Sequence, residues 1–274
     1  MKDATTDTGT GLPEREEVVR YERVGEHIAV VTLNRPQARN AINGDVARAI
    51  DTIRMQIEAD PEIRVAILAS SSADVFSAGA DLREVSSSRA GASGLSTPNG
   101  GFAGFVKAER KKPWIAAVRG KALGGGFELV LACDMVVAGQ SASFGLPEVK
   151  IGVLAAAGGA FRVAQILPRA IANELVSTGR SIDSAFALAH GLINRVVADD
   201  AVLDEAIRLA SEIVKNAPIS VRASLDIVRA ATQLGEGELW KMTEAWAQRI
   251  IRTEDAKEGP RAFLEKRAPR WTGR

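Results

Sequence analysis

Three consecutive glycines, Gly124-Gly125-Gly126, open an apolar run inside residues 120–158. Glycine runs cost backbone entropy, so they mark places where main chain approaches something closely. Glu128 sits within that run, flanked by Phe127, Leu129 and Val130, and a second acid, Glu148, follows the turn Phe144-Gly145-Leu146-Pro147. Apolar surroundings disfavour the ionised form of a carboxyl group and raise its pKa. A bare backbone beside two such acids points to proton-transfer chemistry, and whatever fold the chain adopts must bring these parts together.

The 274 residues are 46% hydrophobic and 25% charged, enough for one large domain or a domain with an appendage. With 35 basic against 34 acidic residues, nothing calls for nucleic acid or an anionic membrane as partner. No stretch reaches the ~18 apolar residues of a membrane span. The lone cysteine, Cys133, excludes an internal disulfide and is expected to act as a small buried apolar residue. Residues 1–16 are polar, lack a signal-peptide core and read as a disordered leader. A reducing, cytoplasmic setting is the expectation.

Two strands, at 17–24 and 28–34, are expected around a turn at 24–27. A helix should follow from Gly44 with Asn43 as N-cap, burying Val46, Ile50, Ile53 and Ile57. Residues 64–70 and 114–118 read as buried strands. The Ser/Gly/Pro-rich stretch 86–101 reads as a long loop, and 102–112 as a helix. Residues 120–134 read as turn then helix, and 135–138 as a strand. Beyond, helices dominate: 157–166, 170–178, 183–190, 200–216, 219–232, 236–251 and 254–266, with one late strand at 192–197. In the helix at 200–216 the expected buried face is Leu203, Ile207, Ala210 and Val214. Alternating strands and helices followed by helices alone give an α/β core (17–200) with a helical C-terminal region (201–274).

Two segments share a pattern: SAGAD at 77–81 and ALGGGFE at 122–128, each small-residue, Gly-rich and placed just after a strand. The first N–H groups of a helix have no intrahelical partner and lie at the positive end of its dipole. Two of them aimed at one point make an oxyanion hole. Alternatively, the glycines serve only tight strand-to-helix packing. The glycines fit neither a dinucleotide nor a phosphate-loop motif. Neither His27 nor His190 has a hydrolase-like partner, and no His/Cys cluster suggests a metal.

The texts LNRPQARNAI (33–42), FSAGADL (76–82), PWIAAVRGKALGGGFELVLACD (113–134), SFGLPEVKIGV (143–153) and AFLEKR (262–267) resemble the crotonase (enoyl-CoA hydratase) superfamily, in order and spacing. The resemblance implies a spiral of ββα units with a C-terminal helical trimerisation region, forming a homotrimer or a dimer of trimers. It implies an acyl-CoA thioester as substrate, with coenzyme A brought in by that substrate and no separate cofactor. It places the thioester oxygen between the N–H groups of Ala80 and Gly125, assigns water activation at Cβ to Glu128, and assigns proton exchange at Cα to Glu148. It assigns substrate contacts to Arg39, Ala78, Asp81, Leu82, Arg83, Gly124, Pro147, Phe263 and Lys266, the last reaching a neighbouring subunit's CoA. Both acids together favour hydration and dehydration; an enoyl-CoA isomerase is the runner-up, and a non-catalytic scaffold comes last. Two departures stand out. Gln37 and Asp74 replace lysines of a relative, and Ala155-Ala156-Ala157 replaces the usual Pro-Gly-Ala on the acyl side. GGFAGF (100–105), NRVV (194–197) and the C-terminal text are similar to the carnitinyl-CoA dehydratases of the same superfamily.

Overall fold

The computed structural model describes residues 17–87 and 91–274; the leader expected at 1–16 lies outside them. The strands are β1 (Val19–Val24), β2 (Ile28–Leu33), β3 (Val65–Ser70), β4 (Val75–Ser77), β5 (Ser96–Thr97), β6 (Gly101–Phe102), β7 (Trp114–Val118), β8 (Lys121–Leu123), β9 (Met135–Gly139), β10 (Ser143–Gly145), β11 (Ser181–Asp183) and β12 (Arg195–Val197). The helices are α1 (Gly44–Ala59), α2 (Leu82–Ser87), α3 (Gly125–Ala132), α4 (Gly159–Ile166), α5 (Arg169–Thr178), α6 (Ser184–Ala189), α7 (Val202–Val214), α8 (Pro218–Ala230), α9 (Glu236–Ile250) and α10 (Glu254–Leu264).

Consecutive strands are dealt alternately to two sheets. One sheet runs β1-β2-β3-β7-β9-β12 and the other β11-β10-β8-β4, so β3/β4, β7/β8 and β9/β10 each contribute one strand to both. That alternation is the expected spiral of ββα units. Except for the β1–β2 pair, the large sheet is parallel. Its central strands read as continuous apolar runs because both faces are covered. Along β2, Ala29, Val31 and Leu33 enter the main core, while Ile28 and Val30 enter a second core under α7. The period of two assigns alternate residues to opposite faces.

Helix α1 starts as expected: the Asn43 side chain accepts the Val46 N–H at 3.0 Å, and Val46, Ile50 and Ile57 are fully buried. The face of α7 differs in part from expectation. Ala210 is buried against the sheet and Ile207 and Val214 pack beside it as expected, while Leu203 is turned outward and Val202 and Ala206 are buried instead. Residues 102–112 form no helix: Phe102 ends β6, 103–107 are turns and 108–112 are irregular. Gly101, Ala103 and Gly104 all adopt positive φ, between 56° and 66°, which breaks any right-handed run. A methyl at Gly104 would lie 2.4 Å from Ala47 O, so this segment packs directly on α1. The Ser/Gly-rich stretch contains a hairpin, with Ser96 opposite Phe102 and Thr97 opposite Gly101, in place of an uninterrupted loop.

Helix α8 is anchored to the sheet by one cation. Arg229 donates to both carboxylate oxygens of Asp134 at 2.8 Å and to the carbonyl of Arg110 at 2.5 Å. Asp134 in turn accepts the Trp114 N–H at 2.8 Å. Removing one member of a largely buried pair strands the other. Arg229→Met is expected to cost about 2–4 kcal/mol. That would appear as a lower denaturant midpoint; an unchanged midpoint would show that α8 is held by its apolar contacts alone.

Candidate active site

Strands β4, β8 and β10 lie side by side and parallel in the small sheet, so their carboxyl ends release three turns at one edge. Ligands of open α/β sheets collect at such edges. In the first turn, Ala80 forms a parallel bridge with Ile42: the Ile42 N–H donates to Gly79 O at 2.8 Å, and the Asp81 N–H donates to Ile42 O at 2.9 Å. In such a bridge the intervening residue's own N–H is turned away from the partner strand. The second turn leads into α3. Gly125 is its first residue, and the N–H at that position has no intrahelical acceptor. The two turns are in contact: a methyl at Gly79 would lie 2.7 Å from Gly125 N and 2.8 Å from Leu123 O. Ala80 and Gly125 line one cavity of about 710 Å³. The Phe102 ring roofs Gly125, where a methyl would approach Phe102 Cζ to 2.5 Å.

Glu128 lies one helical turn beyond Gly124 and lines the same cavity. It is 3% exposed, and Oε1 accepts the Gly159 N–H at 2.8 Å. Burial pushes its pKa up to about 7; the negative charge of Glu148 adds to the rise, and the Gly159 N–H opposes it. Glu148 enters from the third turn, after β10. Burial raises its pKa as well. Its Oε2 is buried and has no hydrogen-bond partner among the described residues. Its Oε1 lies 3.3 Å from where a methyl on Gly124 would sit, so that glycine lets the carboxylate close on the turn.

The cavity also takes Ala78, Leu82, Gly124 and Pro147 from the expected residues. Arg39, Asp81, Arg83, Phe263 and Lys266 are outside its lining. The Asp81 carboxylate is paired with Arg35 at 3.2 Å. Phe263 is 83% exposed on α10. Two participants escaped the sequence reading. Gly159 holds Glu128, and a methyl there would meet Glu128 Cγ and Leu146 Cδ2 at 2.9 Å. Arg162, a half-buried cation beside Glu128, donates to Ala157 O at 3.0 Å and Val106 O at 2.6 Å, pinning the turn that delivers Gly159. The Gly158-Gly159 pair was their visible signal. Among the described residues no cluster of His, Cys, Asp or Glu could hold a metal ion.

Free backbone N–H groups lining one cavity with a buried and a half-buried acid are groups of the kind that can stabilise an enolate oxygen while protons move at neighbouring carbons. The family described as Enoyl-CoA hydratase/isomerase matches residues 23–274. The chain belongs to this family. Within it, the carnitinyl-CoA dehydratase of Salmonella typhi is 40% identical over 252 residues, covering 90% of this chain and 95% of that protein. The crystal structure of an enoyl-CoA hydratase from Mycobacterium tuberculosis H37Rv superposes with a TM-score of 0.89 at 37% identity, over 94% of this chain and 100% of that one. A carnitinyl-CoA hydratase structure from Mycobacterium avium is 43% identical, with a TM-score of 0.74, over 94% of this chain and 99% of that one. The fold is thus the crotonase fold of the enoyl-CoA hydratase/isomerase family, and its two-carboxylate cavity lies within the matched region.

Proposed function

We propose that this chain is a hydro-lyase that adds water across the double bond of a trans-2-enoyl-CoA, or removes it from the corresponding 3-hydroxyacyl-CoA. The observation that carries this reading is the pair of acids, the buried Glu128 and the half-buried Glu148, in one cavity with Ala80 and Gly125. The thioester oxygen would accept from the Ala80 and Gly125 N–H groups. Glu128 would take a proton from water as its oxygen bonds to Cβ, and Glu148 would give a proton to Cα. Net, H and OH add across the bond, and the acids regain their starting protonation by exchange with solvent. Coenzyme A enters as part of the substrate, and no step calls for a further cofactor.

Arg39, Arg83, Phe263 and Lys266 would serve the CoA portion, outside the acyl cavity. Assembly as a homotrimer or a dimer of trimers is supported by the C-terminal helices: α9 buries no residue, and Trp240, Ile251 and Leu264 are 60–79% exposed. A cytoplasmic location rests on the lone cysteine and the CoA substrate. Among the described residues no helix is long and apolar enough to cross a membrane.

The test is loss of the conjugated-thioester absorbance when wild-type protein meets crotonyl-CoA, with formation of 3-hydroxybutyryl-CoA. Conversion of 3-enoyl- to 2-enoyl-CoA without water addition would instead establish the isomerase reading. Tight acyl-CoA binding with neither reaction would establish a scaffold.

A further inference from the structure

We infer that the acyl cavity is built for an uncharged hydrocarbon tail and discriminates against a quaternary ammonium, so that this chain acts on aliphatic enoyl-CoA rather than on carnitinyl-CoA. The inference rests on the hydro-lyase reading and narrows its substrate class. Carnitine carries a trimethylammonium group on the carbon next to Cβ, so a carnitinyl-CoA enzyme must lodge a permanent cation a few ångströms from its two acids. Cavities that accept such a cation offer aromatic faces or a dedicated carboxylate.

The cavity here offers neither among the described residues. Its one ring, Phe102, is packed over Gly125 at the oxyanion hole. Its only carboxylates are Glu128 and Glu148, which the reaction itself uses, and burial raises the pKa of both. The nearby acids are occupied elsewhere: Asp81 pairs with Arg35, and Glu84 accepts the Gly44 N–H at 3.0 Å. The remaining ionic side chain of the lining is a cation, Lys150.

The rest of the wall is aliphatic. Leu82, Val85, Leu95, Val153 and Leu154 converge on it, and Ala156 and Ala157 bring only methyl groups. Leu82, Val153 and Leu154 are 54–69% exposed, apolar surface that a hydrocarbon tail would cover. Moving an ion onto such a wall forfeits hydration without replacing it, whereas each methylene buried there gains about 0.8 kcal/mol, roughly fourfold in kcat/KM.

The experiment compares two substrates of one shape. Crotonobetainyl-CoA ends in trimethylammonium, and 5,5-dimethylhex-2-enoyl-CoA replaces its nitrogen by carbon. Wild-type protein is expected to hydrate the neutral isostere with kcat/KM at least about 10²-fold above the cationic one, given the unpaired charge. Straight-chain substrates should gain severalfold per added methylene from four to about eight carbons. Leu154→Asp, a change at an exposed rim position, should cut the isostere preference by at least about tenfold as charge complementarity is introduced. Equal rates on the two isosteres, or preference for the cation, would overturn the inference while leaving the hydro-lyase reading intact. Failure on every enoyl-CoA, crotonyl-CoA included, would remove the reading on which both rest.

Discussion

Glu128→Gln is expected to hydrate crotonyl-CoA at least about 10²-fold more slowly than wild type, the usual worth of a general acid or base, and yet to be the more stable protein at pH 8. The side chain is the same size, and its amide oxygen can keep the 2.8 Å bond from the Gly159 N–H. What it loses is the ability to ionise. In the folded protein burial raises the Glu128 pKa from 4.5 to about 7. The native state therefore holds a proton that the unfolded chain releases, and stability falls as pH rises between those values. Below about pH 4.5 the group imposes no charge-burial cost. Above pH 7 the cost is complete, on the order of 3 kcal/mol for that shift. Glutamine is spared it at every pH but must find a partner for its amide N–H₂, so a net gain of about 1–3 kcal/mol remains. For a protein of this size that is several degrees in Tm. The denaturant midpoint of Glu128→Gln should lie at or below that of wild type near pH 4.5 and rise above it as pH goes to 8. A difference that stays constant with pH would mean that Glu128 is solvated or paired in solution. A variant of near-wild-type kcat would remove it from the mechanism. The same ionisation should place an acid limb near pH 7 in the hydration rate, because a protonated Glu128 cannot take a proton from water.

Much of this site is legible in the sequence because its parts lie at backbone punctuation. The triple glycine, the SAGAD turn and the Phe-Gly-Leu-Pro turn each follow a strand, and the fold sets those three strands side by side. The motif order carries the family, so the spiral follows. Segments whose conformation is set by a neighbour were not legible. Residues 102–112 have a composition that suits a helix, yet Ala103 is forced to a φ of 56° by the close packing of Gly104 on α1. Phe102 therefore swings over Gly125, where a helical reading would not have put it. In α7 the expected Ile207, Ala210 and Val214 pack on the sheet, but the stripe also takes in Val202 and Ala206 and leaves Leu203 outside. Arg162 looks like a solvated helical charge in sequence. Its role comes from two carbonyls, at 106 and 157, that only the folded chain brings to it. The lone Cys133, expected buried, is half-buried; its thiol lies against Leu129 O at 3.4 Å, and desolvation pushes its pKa up to about 12, which disfavours the thiolate.

Gly79→Ala is expected to lose about 10²–10³-fold in kcat, the worth of an oxyanion-hole donor, without any change to either acid. Gly79 touches no predicted acid–base atom; its importance is that it is the point where the two donor turns meet. It adopts φ +87°, a region costly to alanine. An added methyl would fall 2.7 Å from Gly125 N and 2.8 Å from Leu123 O, both backbone atoms with no rotamer to yield. The turns must separate. Separation moves the Gly125 N–H away from the Ala80 N–H, and hydrogen bonds weaken steeply with distance and angle. The Gly79 carbonyl also accepts the Ile42 N–H, so the strain reaches the bridge that orients Ala80. Stability should fall by about 1–3 kcal/mol, enough to leave a folded protein for assay. The kinetic signature separates a damaged hole from general misfolding. If the donors act on the enolate, kcat falls much more than KM rises, because the ground-state thioester depends on them less than the transition state does. Gly25→Ala provides the comparison: it also has positive φ, at +62°, but its added methyl meets nothing within 4 Å. It should pay the backbone strain and keep its kcat. Equal kcat in the two variants would show that the contact between the turns does not set the hole.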